Sequence, residues 1–258
     1  MKETFQDTLR TQIEIKKPIQ IKPNILENVR FEQAFRLAKK RSKKGKIEDS
    51  KQIYEDILSR FPKNRKAQHY LDSLFKKLKH YTVKYLIDLY NQGEFLETIN
   101  YAQLILKKYP EEIKIWNILG AANKRLNRIG DAILAFKRVT KLNPNYAIGH
   151  NNLGIVLHEA GKLEKAVESY NNAITIKADY FEAYYNIGNA LKDLHKLEKA
   201  VKIYKKATVF NPVYFEAYYN MGNVLKDQDK LEEAIEVYKK AISLKPDCVY
   251  VYNNMGCI

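Results

Sequence analysis

The chain repeats itself every 34 residues: when Ala147 to Tyr180 is stacked above Phe181 to Tyr214 and Phe215 to Cys248, Gly154, Gly188 and Gly222 fall in one column. Ala166, Ala200 and Ala234 form a second column, Tyr170, Tyr204 and Tyr238 a third, and Ala173, Ala207 and Ala241 a fourth. A period of this length marks an array of small units, each unable to bury its apolar face alone, rather than a closed globular domain. Such an array offers a long surface, so holding something is the first function to consider.

Within each unit, apolar residues recur at helical spacing on either side of a short polar break such as Glu159 to Lys162, which predicts two helices per unit. With each unit numbered from 1, positions 4, 7, 8 and 11 share one face of the first helix, and 20, 24 and 27 one face of the second. Ala166, Tyr170 and Ala173 should therefore pack on Leu153, Gly154 and Leu157, and Pro144, Pro212 and Pro246 at position 32 should end the second helix. Ile113 to Tyr146 fits the same frame through Trp116, Leu119, Gly120, Ala132, Phe136 and Pro144, whereas the next unit departs from it with His150 at 4 and Ala178 at 32.

On these columns the chain resembles the tetratricopeptide repeat family, whose pattern has Leu-Gly at 7 and 8, Ala at 20, an aromatic at 24, Ala at 27 and Pro at 32. The resemblance implies an all-α, right-handed superhelical solenoid of helix-turn-helix repeats. Upstream the pattern degrades. Lys79 to Glu112 keeps Tyr85, Leu89, Gly93 and Pro110 but carries Thr98 at position 20, and Phe31 to Asn64 keeps Ala34, Ala38, Tyr54 and Pro62 but carries Ser50 there. Between them Leu71, Leu74, Phe75 and Leu78 suit a lone helix. The expected organisation is a poorly ordered lead-in over 1–30, divergent units over 31–112 with an irregular extra helix at 65–78, and a regular array over 113–258 ending in a partial unit. Ending at Ile258 within a new unit, the chain is expected to be part of a longer protein, or to self-associate through an uncapped stacking face.

No apolar run reaches the roughly 18 residues of a membrane span, and the N-terminus lacks a secretory apolar core. With only Cys248 and Cys257 present, no disulfide framework is expected, and a reducing, cytoplasmic compartment follows. The net charge of +15 is concentrated upstream: Arg30 to Lys84 holds 17 Lys and Arg against 6 Asp and Glu, including the basic run within 36–46. Nothing there resembles a nucleic-acid-binding motif, and Arg, the usual base reader, numbers 9 against 36 Lys, so the run reads as a solvated helix end and nucleic acid is disfavoured as a partner.

On the side of the first helix away from the core, position 6 holds Asn152, Asn186, Asn220 and Asn254 in four successive units. Position 9 adds Asn189 and Asn223, position 5 adds Tyr185 and Tyr219, and position 13 carries Asp193 and Asp227. In the resembling family the first helices line the concave surface, and the position 6 column is similar to the asparagine ladder of the O-linked N-acetylglucosamine transferase family, which holds protein substrates. The resemblance implies that an extended peptide or partner protein lies along these residues, each amide offering a donor and an acceptor to its backbone. The same amides could instead be solvated or bond one helix to the next. The two-carboxylate clamp of other family members is excluded, because Glu182 and Glu216 occupy a position that it requires to be basic.

No phosphate-cradling Gly-rich loop, His-Glu-x-x-His helix or paired-Cys spacing occurs, so no catalysis, cofactor or metal is expected of these residues. The alternative is a substrate-recruiting arm of a longer transferase, glycosyltransferase-like, whose catalytic domain lies outside this sequence. That alternative rests on the resemblance alone.

Overall fold

The computed structural model describes residues 31–43, 47–256 and 258. The lead-in expected over 1–30, residues 44–46 of the basic run and Cys257 lie outside them. Every regular element among the described residues is an α-helix, and the chain divides into two units, one up to Tyr85 and one from Leu86.

In the first unit, α1 (Phe31–Lys43) and α2 (Ile47–Arg60) bury Ala34, Phe35, Ala38, Ile53, Tyr54 and Ile57 together with Ala67 and Leu71 of α3 (Arg65–Asn91). Ser50 fits the small position 20 because its hydroxyl donates to the Ala38 carbonyl at 2.9 Å, so nothing polar is buried unpaired. The extra helix expected to stand alone over 65–78 does not: it runs on without a break to Asn91. No Gly or Pro interrupts Arg65 to Asn91, and the first residue able to stop the helix is Gly93, at φ 84°.

In the second unit, α4 (Phe95–Lys108), α5 (Ile113–Arg125), α6 (Ile129–Leu142), α7 (Ala147–Glu159) and α8 (Leu163–Ile176) follow in turn. The same spacing continues through α9 (Phe181–Asp193), α10 (Leu197–Phe210), α11 (Phe215–Asp227), α12 (Leu231–Leu244) and α13 (Val249–Gly256). From α5 onward the helices pack as the pairs α5·α6, α7·α8, α9·α10 and α11·α12, and each second helix also touches the first helix of the next pair. One apolar core runs along this array from Ala132 to Val251. The fold is an all-α helical-repeat solenoid.

The turn within each repeat of the second unit has one geometry. Position 15 is left-handed in all five, as Gly93, Asn127, Gly161, His195 and Asp229, with φ of 84°, 56°, 69°, 55° and 59°. The next residue donates back to the carbonyl at position 11, as Lys162 to Leu157 at 2.9 Å and Lys196 to Leu191 at 2.8 Å. This double cap closes the first helix and reverses the chain within three residues. At the far end, α8 stops at Ile176 although Ala178 stands where its neighbours have Pro, and α10 stops at the equivalent Phe210. Proline is therefore not required to end the second helix.

His150, which replaces the expected aromatic at position 4, donates its ring N–H to the Pro144 carbonyl at 2.9 Å, as Trp116 does to the Pro110 carbonyl at 2.8 Å. The two rings make one bond in one place, which explains why histidine fits.

Paired helices approach closely because the position 24 ring lies on the bare backbone of the position 8 glycine. A methyl group on Gly188 would sit 2.5 Å from Cε1, 2.6 Å from Cδ1 and 2.8 Å from Cζ of Tyr204, a residue that is 0% exposed. Gly222 with Tyr238 and Gly120 with Phe136 repeat the arrangement. Gly188→Ala is therefore expected to cost about 1–3 kcal/mol through overpacking, read as a lower urea midpoint at unchanged helix content; an unchanged midpoint would show that the ring can move aside.

Candidate functional site

At about 100° per residue, positions 2, 6, 9 and 13 fall within about 60° of one another, so each first helix carries them as one stripe opposite its core face. Stripes of successive repeats adjoin, because residues 31 and 35 apart in sequence bond across them. Asn152 Nδ2 donates to Asn117 Oδ1 at 3.1 Å, and Asn186 Nδ2 to Asn151 Oδ1 at 3.0 Å. Asn220 Nδ2 donates to both Tyr185 Oη and Asn189 Oδ1, each at 3.0 Å. Asn254 Nδ2 repeats this with Tyr219 Oη at 3.2 Å and Asn223 Oδ1 at 2.9 Å. The position 6 amide of each repeat is thus tied to the helix before it.

In the last two complete repeats the bonds reach the core. Tyr204 Oη donates to Asn189 Oδ1 at 2.6 Å and Tyr238 Oη to Asn223 Oδ1 at 2.7 Å. Each position 9 oxygen therefore joins the buried ring of its own repeat to the amide of the next. Where position 24 is Phe136, position 9 is Ala121, and no polar group needs satisfying. Burial pushes the Tyr204 hydroxyl above the ordinary tyrosine range, with Tyr185 and Asp193 adding to it. Burial and the adjacent Tyr219 push the Tyr238 hydroxyl up to about 12.

Every candidate read from the sequence lies on or beside the stripe, but several are already engaged. Asn152, Asn186, Asn220 and Asn254 are half-buried and have spent amide hydrogens on their neighbours, so the inter-helix bonding left open from the sequence is present. Their Oδ1 atoms take no protein donor and are not closed off from solvent; the buried side-chain polar atom without a partner among the described residues is Gln228 Oε1. Asn189 and Asn223 are network acceptors. Tyr185 is half-buried against Tyr204 and Tyr214, with ring centroids 6.0 and 5.1 Å away, and Tyr219 packs on Tyr238 and Tyr250 at 6.4 and 4.9 Å. Asp193 meets His158 of the preceding repeat at 2.7 Å, as Glu159 meets Lys124 at 3.0 Å, whereas Asp227 is exposed at the end of α11. Asn151, at position 5 beside the stripe, is 5% exposed.

Asn117 was missed by tracing position 6 alone. It stands at position 5, in register with Asn151, Tyr185, Tyr219 and Asn253, a column that carries a hydrogen-bonding group in every repeat from Ile113 onward and could have been read as the partner column. Among the described residues no helix is long and apolar enough to cross a membrane, and no group of three His, Cys, Asp or Glu could hold a metal ion.

Tetratricopeptide repeat profiles match residues 113–146, 135–168, 156–195, 188–229 and 215–248, which together span more than half of the chain. No curated protein matches the sequence. Among solved structures, a MamA fragment from Desulfovibrio magneticus is 20% identical, covers 66% of this chain and 96% of its own, and superposes with a TM-score of 0.61. YrrB, described as a TPR protein with an unusual peptide-binding site, is 19% identical, with 67% and 89% covered and a TM-score of 0.57. A thermophilic TPR protein of Thermus thermophilus is 18% identical, with 69% and 97% covered and a TM-score of 0.54. At these identities the likeness is one of fold.

Two outcomes follow from the network. Asn220→Ala leaves Tyr185 Oη and Asn189 Oδ1 short of a donor, and because both are partly solvated the expected cost is about 1–2 kcal/mol, measured by urea unfolding; a cost near zero would mean that water replaces the amide fully. The raised tyrosines also set an alkaline limit. A group whose folded pKa lies above its unfolded value near 10 contributes its full stability below pH 10 and loses it as pH rises through the folded value. Stability should therefore hold to about pH 10 and fall towards about pH 12, and Tyr238→Phe should shallow that fall. An unfolding midpoint independent of pH over this range would contradict the assignment.

Proposed function

Because the chain belongs to the tetratricopeptide repeat family, we propose that it is a non-catalytic protein-interaction scaffold holding an extended peptide segment of a partner along the stripe of Asn152, Asn186, Asn220 and Asn254. The observation that carries this reading is the state of those four amides. Each is held by its Nδ2 while its Oδ1 stays open, so a row of acceptors is fixed in direction before any ligand arrives. Preorganised groups spend little entropy on binding, and a backbone N–H is the donor that an extended peptide supplies regardless of its side chains. Asp227 and the exposed edges of Tyr185 and Tyr219 are available to read side chains beside it.

The reading differs from the sequence expectation in one respect. An amide free at both ends would bond a peptide's N–H and C=O alike; Asn220 and Asn254 have committed both N–H groups, and Asn152 and Asn186 one each, so few donors remain for the peptide carbonyls.

The test is selection of linear peptides from a random library on the immobilised chain, followed by fluorescence anisotropy with the selected sequences. Asn186→Ala and Asn220→Ala are expected to weaken binding about tenfold or more, equivalent to about 1.4 kcal/mol, under conditions where circular dichroism shows both variants folded. Lys240→Ala, an exposed change on the second helix of its repeat, should have no effect. Peptides whose binding ignores both asparagine variants, or a selection that returns none, would overturn the proposal.

A further inference from the structure

Resting on that reading of the stripe, the structure points to a partner of one sign: we infer that the C-terminal half of the stripe selects a basic extended segment, whose Lys or Arg side chains seat between carboxylates and tyrosine rings at the junctions of successive repeats.

The first such seat lies where α9 meets α11. Glu182 and Glu216 stand at position 2 of the two helices, one repeat apart. Between them Tyr185 and Tyr214 meet edge to face, centroids 5.1 Å apart, and both rings are half-buried, so part of each faces outward. That both carboxylates reach this place is seen in Tyr214, whose hydroxyl is pushed up first by burial, then by Tyr185, and then by Glu216 and Glu182 together. A second, weaker seat lies one unit on, where Tyr219 and Tyr250 meet edge to face at 4.9 Å beside the single carboxylate Glu216, Cys248 and Tyr250 standing where the first seat has Tyr214 and Glu216. Aromatic rings beside unpaired carboxylates form a receptor for ammonium or guanidinium, the ring supplying its negative face and the carboxylate its charge. The chain's own cations use other rings of these repeats in the same way: Lys177 lies over the Tyr180 ring, 5.0 Å from its centroid, and Lys245 over that of Phe215 at 5.5 Å.

The polarity of the ladder agrees. Asn220 and Asn254 each make two donor bonds within the protein, which leaves their Oδ1 atoms as acceptors only. An acceptor row flanked by Glu182, Glu216 and Asp227 suits a ligand rich in N–H groups and disfavours an acidic one. The nearby Lys192 and Lys226, at position 12, lie about 60–120° around the helix from the stripe, and Lys192 is 3.6 Å from Asp193.

The experiment uses the full chain and three fluorescein-labelled peptides alternating Ser with Lys, Ser with Glu, or Ser with Gln. Anisotropy titrations should show the Lys peptide binding about tenfold or more tightly than the Gln peptide, with the preference falling as salt is raised. In the doubly substituted chain Glu182→Lys with Glu216→Lys, shown folded by circular dichroism, the order should invert in favour of the Glu peptide. If the Gln or Glu peptide binds the unaltered chain as tightly as the Lys peptide, and Asn220→Ala weakens it, the stripe is a peptide site without this polarity and the inference falls while the proposed function stands. If the Lys peptide binds but neither Asn220→Ala nor the double charge reversal affects it, the contact lies elsewhere and both fall. If none of the peptides binds, the inference falls, and the fate of the wider reading rests on the library selection.

Discussion

The contact on which the array depends is an aromatic ring set against a helix that has no side chain to receive it. Gly188 and its equivalents leave the first helix bare at one point, and Tyr204 and its equivalents fill the gap with a ring at most 2% exposed. The missing side chain lets the two helices approach closely, and the buried ring gains dispersion contacts there. That approach also fixes where the hydroxyl emerges. From the far edge of the ring, Tyr204 Oη arrives at Asn189 on the opposite surface of the first helix. A core contact between two helices thereby sets the position of a polar atom on the face that a ligand would meet.

From that atom the order propagates between repeats. Asn189 receives the hydroxyl of its own repeat and the amide of the next, and the same amide holds Tyr185. A residue that both stacks the array and faces outward can serve only with the atoms stacking leaves over, which for Asn220 and Asn254 are the carbonyl oxygens. Stacking does not itself require this arrangement: the repeats from Ile113 to Tyr180 pack in the same core with Ala121 or Ile155 at position 9. What the extra bonds add where Asn189 and Asn223 occur is a fixed direction for Asn220 and Asn254, at the cost of their donors.

Local periodicity made the helices, their pairing and the Gly and Tyr columns legible, because each depends on residues a few positions apart or in register with their copies. Helix ends were less legible. Pro144, Pro212 and Pro246 suggested a rule that α8 breaks, since it stops at Ile176 with Ala178 in the proline position. The lone helix at 65–78 was bounded by the expected start of a repeat, and nothing in Arg65 to Asn91 physically enforces that bound. On the candidate face the columns at 5, 6, 9 and 13 were visible, but their partnerships were not. The bonds Asn152–Asn117 and His158–Asp193 join residues 35 apart, one repeat plus one step, and that step follows from how neighbouring helices are offset in space. A ladder read as four equivalent amides was in fact two kinds of rung: amide to amide for Asn152 and Asn186, and amide to tyrosine and amide for Asn220 and Asn254.

The charge of the whole chain acts against the charge of this face, and distance decides between them. At a net +15 the protein as a whole repels a basic ligand, yet at about 0.15 M salt the field of exposed charges dies away over about 8 Å, so distant lysines are nearly silent at the stripe. Within that range Glu182 and Glu216 both act on the Tyr214 hydroxyl, and partial burial of Tyr185 and Tyr214 lowers the local dielectric and lengthens the carboxylates' reach. A face of this kind gains no help from long-range steering and offers its selectivity only to a segment already in contact. Discrimination would then appear in how slowly a matched partner leaves, and hardly in how fast it arrives.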